Sequence, residues 1–382
     1  MSTRVLLGQL NSNGDCLFAT VIARQIKEID YPDCHLTWAV NGRSRQTIEN
    51  NPYVDDIWEI STEKALANLD EWNSFVAEAG ERNLKGDFDH VFLTQIIGDN
   101  LLNFDGGIRS SIYNSYPNPI TVPLDPVIRL TDAEIENVAN FAELHKLGDR
   151  SQVILVECGP ASFDSSLDQA AALQLAAELT SNLTDTAVIL SSNQSFGSES
   201  ESIIDASILT FRENAELTKY CDLFIGCGSG ITWLTTADSA KRLDMVLVIN
   251  EGHNVLPSVI YDHAFAGLPT DQIIEIRSGP DAMSTLRQCL NTIMTAGFAE
   301  GRETYCETVT PHDLWFVEYQ VRTTLKRLTF RQLAACIRRI AKRNGFRFFF
   351  SVRFAAAIAR LALNGVKNFF GNFSRDNANV KG

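Results

Sequence analysis

Residues 5–20 read VLLGQLNSNGDCLFAT. The apolar run Val5–Leu7 has the character of a buried strand, and Leu17-Phe18-Ala19 begins a helical face. Between them, Asn11-Ser12-Asn13-Gly14-Asp15 forms a tight polar turn where a strand's carboxyl end meets a helix's amino end. In an open α/β sheet ligands bind in that crevice. Asp15 stands at the mouth of the turn, at or just inside the N-cap. Two readings compete for it: a helix cap, or a carboxylate that accepts a proton from a hydroxyl during group transfer.

Outward from this turn, the first half alternates strands and helices. Strands are predicted at 4–10, 35–40, 54–60 and 90–96, with helical segments at 15–29, 44–50 and 62–82. This alternation implies a parallel sheet with right-handed crossovers. Residues 98–126, rich in Gly and Pro, read as an irregular segment: either a substrate loop on one rim or a plain connector. Thr131-Asp132-Ala133-Glu134 matches a capping box and opens a helix to about His145. Leu147–Ser151 is turn chemistry and marks a domain boundary. The expected domains are therefore 1–148, 149–305 and a tail at 306–382.

The second half repeats the pattern. Strands are predicted at 152–157, 186–190, 207–209, 223–226 and 245–250, and helices at 168–182, 214–220 and 228–240. Both halves look doubly wound, with strand ends facing a shared cleft, and domain interfaces are favoured ligand sites.

Composition narrows the class. No apolar run reaches the roughly 18 residues of a membrane span. No signal-peptide core precedes the first strand, so a cytoplasmic protein is expected. The eight cysteines form no CxxC pair and read as buried reduced thiols. The six histidines show no HxxxH or HExxH spacing, so no metal site is expected. Charge is unevenly placed: residues 322–382 carry 14 Lys or Arg against one acid, leaving 19 basic and 46 acidic side chains before them. In the tail, Leu325, Leu328, Leu333, Ile337 and Ile340 alternate with Arg331, Arg338, Arg339, Lys342 and Arg343, followed by Phe346-Arg347-Phe348-Phe349-Phe350. That pattern suits an interfacial helix on anionic lipid, or a helix pair packed on the acidic body or a second subunit. The acidic body argues against nucleic acid as partner.

Two glycine-containing turns precede helices and present backbone N–H groups to an anion. They are Asn13-Gly14 and Gly228-Ser229-Gly230, the second being the better phosphate cradle. Glu251-Gly252-His253-Asn254 is a further cleft candidate. There is no GxGxxG, no GxxxxGK[ST] and no GxSxG, which removes the fingerprints of simple dehydrogenases, P-loop enzymes and serine hydrolases.

Three stretches together resemble the ADP-heptose:lipopolysaccharide heptosyltransferase family, glycosyltransferase family 9. Ser12-Asn13-Gly14-Asp15 with Thr20 is similar to its S-x-G-D-x-x-x-x-T turn. Asn51-Pro52-Tyr53-Val54-Asp55 is similar to its N-P-x-V-D element. Cys221–Gly226 with Ser229-Gly230 is similar to its A-D-L-x-I-G-x-D-[ST]-G-x-x-H-L segment. The resemblance spans roughly residues 3–300. It implies a GT-B fold, with an acceptor domain followed by a domain for a nucleotide-activated sugar, and inverting transfer without metal or cofactor. Asp15 would be the general base, beside the acceptor turn Ser12, Asn13 and Gly14. Gly228, Ser229 and Gly230 would hold the donor diphosphate, and the acceptor would be a glycan or lipid-linked glycan at the inner face of the cytoplasmic membrane. The chain departs from the family at Gly228, where an Asp is usual, and at Trp233, where a His is usual. It also lacks the Lys expected in the turn Gly159–Ser166. Ser162, Ser165 and Asn193 are the expected substitutes in the donor pocket. These departures keep open a GT-B-like binding or scaffolding protein with a decayed donor site. A nucleotide-sugar epimerase of similar architecture is a weaker third reading.

Overall fold

The computed structural model describes residues 2–61, 69–158, 167–197, 200–250 and 256–309, with isolated positions between 338 and 359. The first sheet holds β1 (Arg4–Gly8), β2 (His35–Asn41), β3 (Asp56–Ile60) and β4 (His90–Leu93), all parallel, in the order β3-β2-β1-β4. Its helices are α1 (Asn13–Gln25) and α2 (Leu69–Leu84). The period-2 alternation of β1 places its side chains on opposite faces. Val5 and Leu7 join a buried cluster with Leu17, Phe18 and Ile22 of α1, while Leu6 packs with Trp72, Phe75 and Ala79 of α2. Both faces being covered, the strand reads as a continuous apolar run. Gly8 closes it because a Cβ there would fall 2.7 Å from Leu93 Cδ2 and 2.9 Å from Phe75.

Between the sheets run α3 (Ile108–Asn114) and α4 (Asp132–Leu144). The capping box on α4 is present: Thr131 accepts from the Glu134 N–H, and the Glu134 carboxylate accepts from the Thr131 N–H. The second sheet comprises β5 (Gln152–Glu157), β6 (Thr186–Ser191), β7 (Ile203–Asp205), β8 (Leu223–Gly226), β9 (Asp244–Ile249) and β10 (Ile273–Arg277), parallel in the order β10-β9-β8-β5-β6-β7. Its helices are α5 (Gln169–Asn182), α6 (Glu213–Leu217), α7 (Gly230–Leu234), α8 (Val259–Ala266), α9 (Ala282–Ala296) and α10 (Phe298–Tyr305). Counted from its own first strand, this sheet has the order 3-2-1-4-5-6 of dinucleotide-binding sheets, and the first sheet has its opening four strands. Each order reverses once, between β1 and β4 and between β5 and β8. Those reversals are the topological switch points.

Several local expectations are corrected. Helix α1 starts at Asn13, so Ser12 takes the N-cap position and Asp15 lies inside the first turn. Helix α7 stops at Leu234 rather than near Ala240. The Thr235 and Thr236 hydroxyls donate to the carbonyls three residues back, at 2.7 Å each, which competes with the helical ladder. Beyond it, Asp238 is drawn toward the first domain, accepting from Arg24 at 3.1 Å and Arg129 at 2.8 Å. The strand expected at 207–209 is β7 at 203–205, where the Ile203-Ile204 pair joins the sheet edge and Asp205 turns the chain by accepting from the Ser207 N–H. The irregular segment 98–126 contains α3. Its Arg109 is buried between the domains, 2.8 Å from Asp262 of α8 and 4.7 Å above the Phe18 ring. Arg212 ties the same seam elsewhere, donating to the Gln46 and Glu49 carbonyls and to Glu134.

Of the seven described cysteines, six are buried and Cys306 is half-buried. Among the described residues, no helix is long and apolar enough to cross a membrane. The basic tail lies largely outside the described residues; among its described positions, Phe346, Phe350 and Val352 are exposed.

Candidate functional site

The two switch points meet at the domain seam. Phe18 of α1 and Trp233 of α7 pack edge to face with ring centroids 5.0 Å apart. A Cβ on Gly14 would lie 3.4 Å from the Trp233 ring, and one on Gly230 would lie 3.8 Å from Asn13 Cβ. The expected acceptor turn and the expected donor turn are therefore neighbours. Trp233, at the family's usual His position, fills the space between them and is buried.

At the first switch point, Asp15 follows β1 and Gln95 follows β4. Gln95 Nε2 donates to Asp15 Oδ2 at 3.4 Å. Burial pushes the Asp15 carboxyl up to about 7, with hydrogen bonds from Ser12 and Gln95 working against that rise. A carboxyl titrating near neutrality has the affinity that general-base chemistry requires. Ser12 adopts φ 72°, a value L-residues rarely take, as the chain turns sharply into α1. Asn13 Oδ1 accepts from Thr47 Oγ1 at 3.2 Å, which ties the turn to the segment after β2.

The second switch point is arranged differently. Glu157 closes β5 and is 2% exposed. Its Oε1 accepts from the Ser229 hydroxyl and from the Ile231 N–H at 3.1 Å. Its Oε2 accepts from Thr232 Oγ1 at 2.7 Å and from the Cys227 N–H at 3.2 Å. The Gly228 N–H donates to Thr232 Oγ1 at 3.1 Å. An internal carboxylate thus sits where an anion at the head of α7 would sit. Gly228 is required by the backbone: its φ is +78°, and a Cβ would fall 2.3 Å from the Pro257 carbonyl oxygen. An Asp at that position has no room. The same construction recurs at α8, where Glu275 accepts from Ser258 Oγ at 2.6 Å and the Ile260 N–H at 3.0 Å, and burial pushes its carboxyl up to about 7.

The remaining sequence candidates are dispersed. Asn193 is exposed in the loop after β6. Ser162 and Ser165, with the whole turn 159–166, and the stretch Glu251–Asn254 lie outside the described residues. The Asn51–Asp55 element has structural work. Asn51 Oδ1 accepts from the Tyr53 N–H at 3.0 Å. Burial raises the affinity of Asp55 for a proton, but Lys27 at 2.8 Å and the Leu36 N–H at 2.7 Å hold it below the usual carboxylate range. Sequence reasoning missed Gln95 and Glu157 as site residues.

Two doubly wound domains with facing switch points define the GT-B architecture. Among solved structures, the chain is similar to the crystal structure of a glycosyltransferase family 9 protein from Veillonella parvula, with a TM-score of 0.52 and 14% identity over 78% of this chain and 94% of that one. Looser likenesses run to ADP-heptose lipopolysaccharide heptosyltransferase II of Escherichia coli (TM-score 0.45, 12% identity, 74% of this chain and 94% of that one). They also reach a putative UDP-N-acetylglucosamine 2-epimerase from Listeria monocytogenes (TM-score 0.47, 10% identity, 87% of this chain and 98% of that one). The sequence matches no protein-family model and no curated protein.

Proposed function

We propose that the protein is an inverting, metal-independent glycosyltransferase that moves a sugar from a nucleotide-sugar donor to a glycan or lipid-linked glycan. The observation that carries this reading is Asp15: a carboxyl at a switch point, in the turn whose Gly14 meets Trp233 of the second domain, with its proton affinity raised to about 7. In the proposed reaction the acceptor oxygen attacks the anomeric carbon from the face opposite the diphosphate. The new C–O bond forms as the bond to the leaving phosphate oxygen breaks. The acceptor's proton passes to Asp15, and the nucleoside diphosphate leaves with the electron pair. Base catalysis of this kind contributes about 10²–10⁴-fold. Asp15→Asn, in a protein shown to be folded, is expected to lose transfer by that factor with a competent donor. Near wild-type turnover would remove Asp15 from the mechanism.

In this proposal the reaction takes place at the inner face of the cytoplasmic membrane; the basic tail supports that reading, since each basic residue near an anionic surface contributes about 1 kcal/mol. Truncation after residue 321 is expected to abolish sedimentation with anionic liposomes, and unchanged sedimentation would refute the membrane reading.

A second reading, a GT-B-like binding or scaffolding protein, is favoured by Glu157. Holding a diphosphate on Gly228, Ser229 and Gly230 requires that carboxylate to release the Ser229 hydroxyl and the Ile231 N–H. Calorimetric titration with UDP-, GDP- and ADP-sugars separates the readings: saturable binding supports the transferase, and heats no larger than dilution support the scaffold.

A further inference from the structure

We infer that Gln95 is the positioning residue for Asp15, the last link of a directional hydrogen-bond chain that aims an amide N–H₂ at the carboxylate. The inference rests on the reading of Asp15 as base and adds the group that orients it. Gln95 is 5% exposed. Its Oε1 accepts three N–H groups: Gln9 Nε2 at 2.9 Å, the Leu10 N–H at 3.1 Å and the Asn11 N–H at 2.9 Å. Turning the amide over would set its N–H₂ against all three donors, so the oxygen is held on that side and Nε2 is left facing Asp15 Oδ2. Gln9 is fixed in the same sense, because its Nε2 must face that oxygen, which leaves its Oε1 to accept from Thr94 Oγ1 at 2.9 Å. The order Thr94, Gln9, Gln95, Asp15 therefore has every donor pointing toward the carboxylate, and such chains polarise in one direction. Asn100 anchors the far side of Gln95 by donating to its main-chain carbonyl at 3.0 Å.

The chain crosses the gap between the ends of β1 and β4, the space the switch point leaves open. It gives Asp15 a fixed partner that favours the charged form, set against the burial that disfavours it. Among the described residues, the titratable neighbour coupled to the Asp15 charge is Cys16, whose thiol is pushed up first by burial and then by that charge, so it stays protonated. Ser12, Gln95, Asn41, Thr47 and Trp233, which the turn meets from its own element, from the segment after β4, from β2 and the segment after it, and from α7, bring no charge.

The test uses the full-length protein and the substitution Gln95→Glu, which keeps an oxygen for the three N–H donors and turns a second oxygen toward Asp15. The readouts are the midpoint of the Asp15 carboxyl carbon by ¹³C NMR and the pH profile of kcat/KM. Two carboxylates at this distance are expected to raise the midpoint by about one pH unit or more, with the rate profile moving by the same amount. A folded variant with an unmoved midpoint overturns the proposal. Should that variant fail to fold, Thr94→Val cuts the chain at its far end. It is expected to move the midpoint up by a few tenths of a unit, and no movement again overturns the proposal. A midpoint that moves while neither protein transfers sugar keeps Gln95 as the positioning residue and rejects the transferase reading instead.

Discussion

The two switch points of this molecule are built from the same parts and do opposite things with them. Each brings a carboxylate from one side of the sheet reversal toward donors from the other. At β1 and β4, Asp15 has the Gln95 amide at 3.4 Å and Ser12 as its partners and is left with a raised proton affinity. At β5 and β8, Glu157 takes hydrogen bonds from two hydroxyls and two backbone N–H groups, leaving the head of α7 neutralised from within. A buried carboxylate with matching donors is a structural member of the fold. Asp15, with fewer donors, retains the capacity to take a proton from something else; raised affinity alone does not mark it, since burial also pushes the donor-held Glu275 carboxyl up to about 7. The difference teaches that a strand-to-helix turn is not made functional by its glycines or its helix dipole. The decisive question is whether the chain has already satisfied its donors.

That contrast is open to breakage by substitution at each turn. The largest effect is expected at Gly228. Gly228→Ala forces a Cβ onto the Pro257 carbonyl in a left-handed backbone and should cost about 2–4 kcal/mol or more in urea unfolding. A cost under half a kcal/mol would show that the turn has slack for another residue. Next comes Glu157→Gln, which presents an amide N–H₂ to at least two of the five donors, the Cys227 thiol at 3.5 Å being the fifth, and should cost about 2–3 kcal/mol. The opposite sign is expected at the first switch point. The Asp15 carboxyl binds its proton more tightly folded than unfolded, about 7 against 3.8, so its stabilising contribution is full below about 4 and is lost as pH rises through about 7. At pH 8, Asp15→Asn should therefore be more stable than wild type by about 1–3 kcal/mol, while the two proteins converge toward pH 4. If both carboxylates destabilise on neutralisation, the distinction between the turns fails.

Much of the architecture was legible because apolar strand runs and polar helix starts obey simple periodicities. Val5–Leu7, Val153–Val156 and Leu223–Ile225 stand out as buried strands, and Thr131–Glu134 announces its helix. The misplaced elements have tertiary causes: Asp238 is drawn toward Arg24 and Arg129 just beyond α7, and Arg109 makes a packing helix out of a segment that reads as loop. The site was half legible. Asp15 is visible from its turn, and Gly228–Gly230 from theirs, but the partners that decide their behaviour lie 80 and 72 residues away from Asp15 and Ser229 respectively. Their signal was present in weak form: Gln95 and Glu157 are each a long polar side chain closing an apolar strand, next to a reversal of strand order. Knowing that they meet those turns requires the order of the strands, which local sequence does not carry. The Asn51–Asp55 element illustrates the converse. It helped to identify the fold, and its side chains turn out to hold a turn and a strand edge together.

The most direct measurement is the titration of the Asp15 carboxyl carbon by ¹³C NMR in the unliganded full-length protein. A midpoint near 7 is expected from a half-buried carboxyl held by few donors. A midpoint near the ordinary aspartate value of about 3.9 would mean that Asp15 is as well satisfied as any surface carboxylate, and would contradict its assignment as the base.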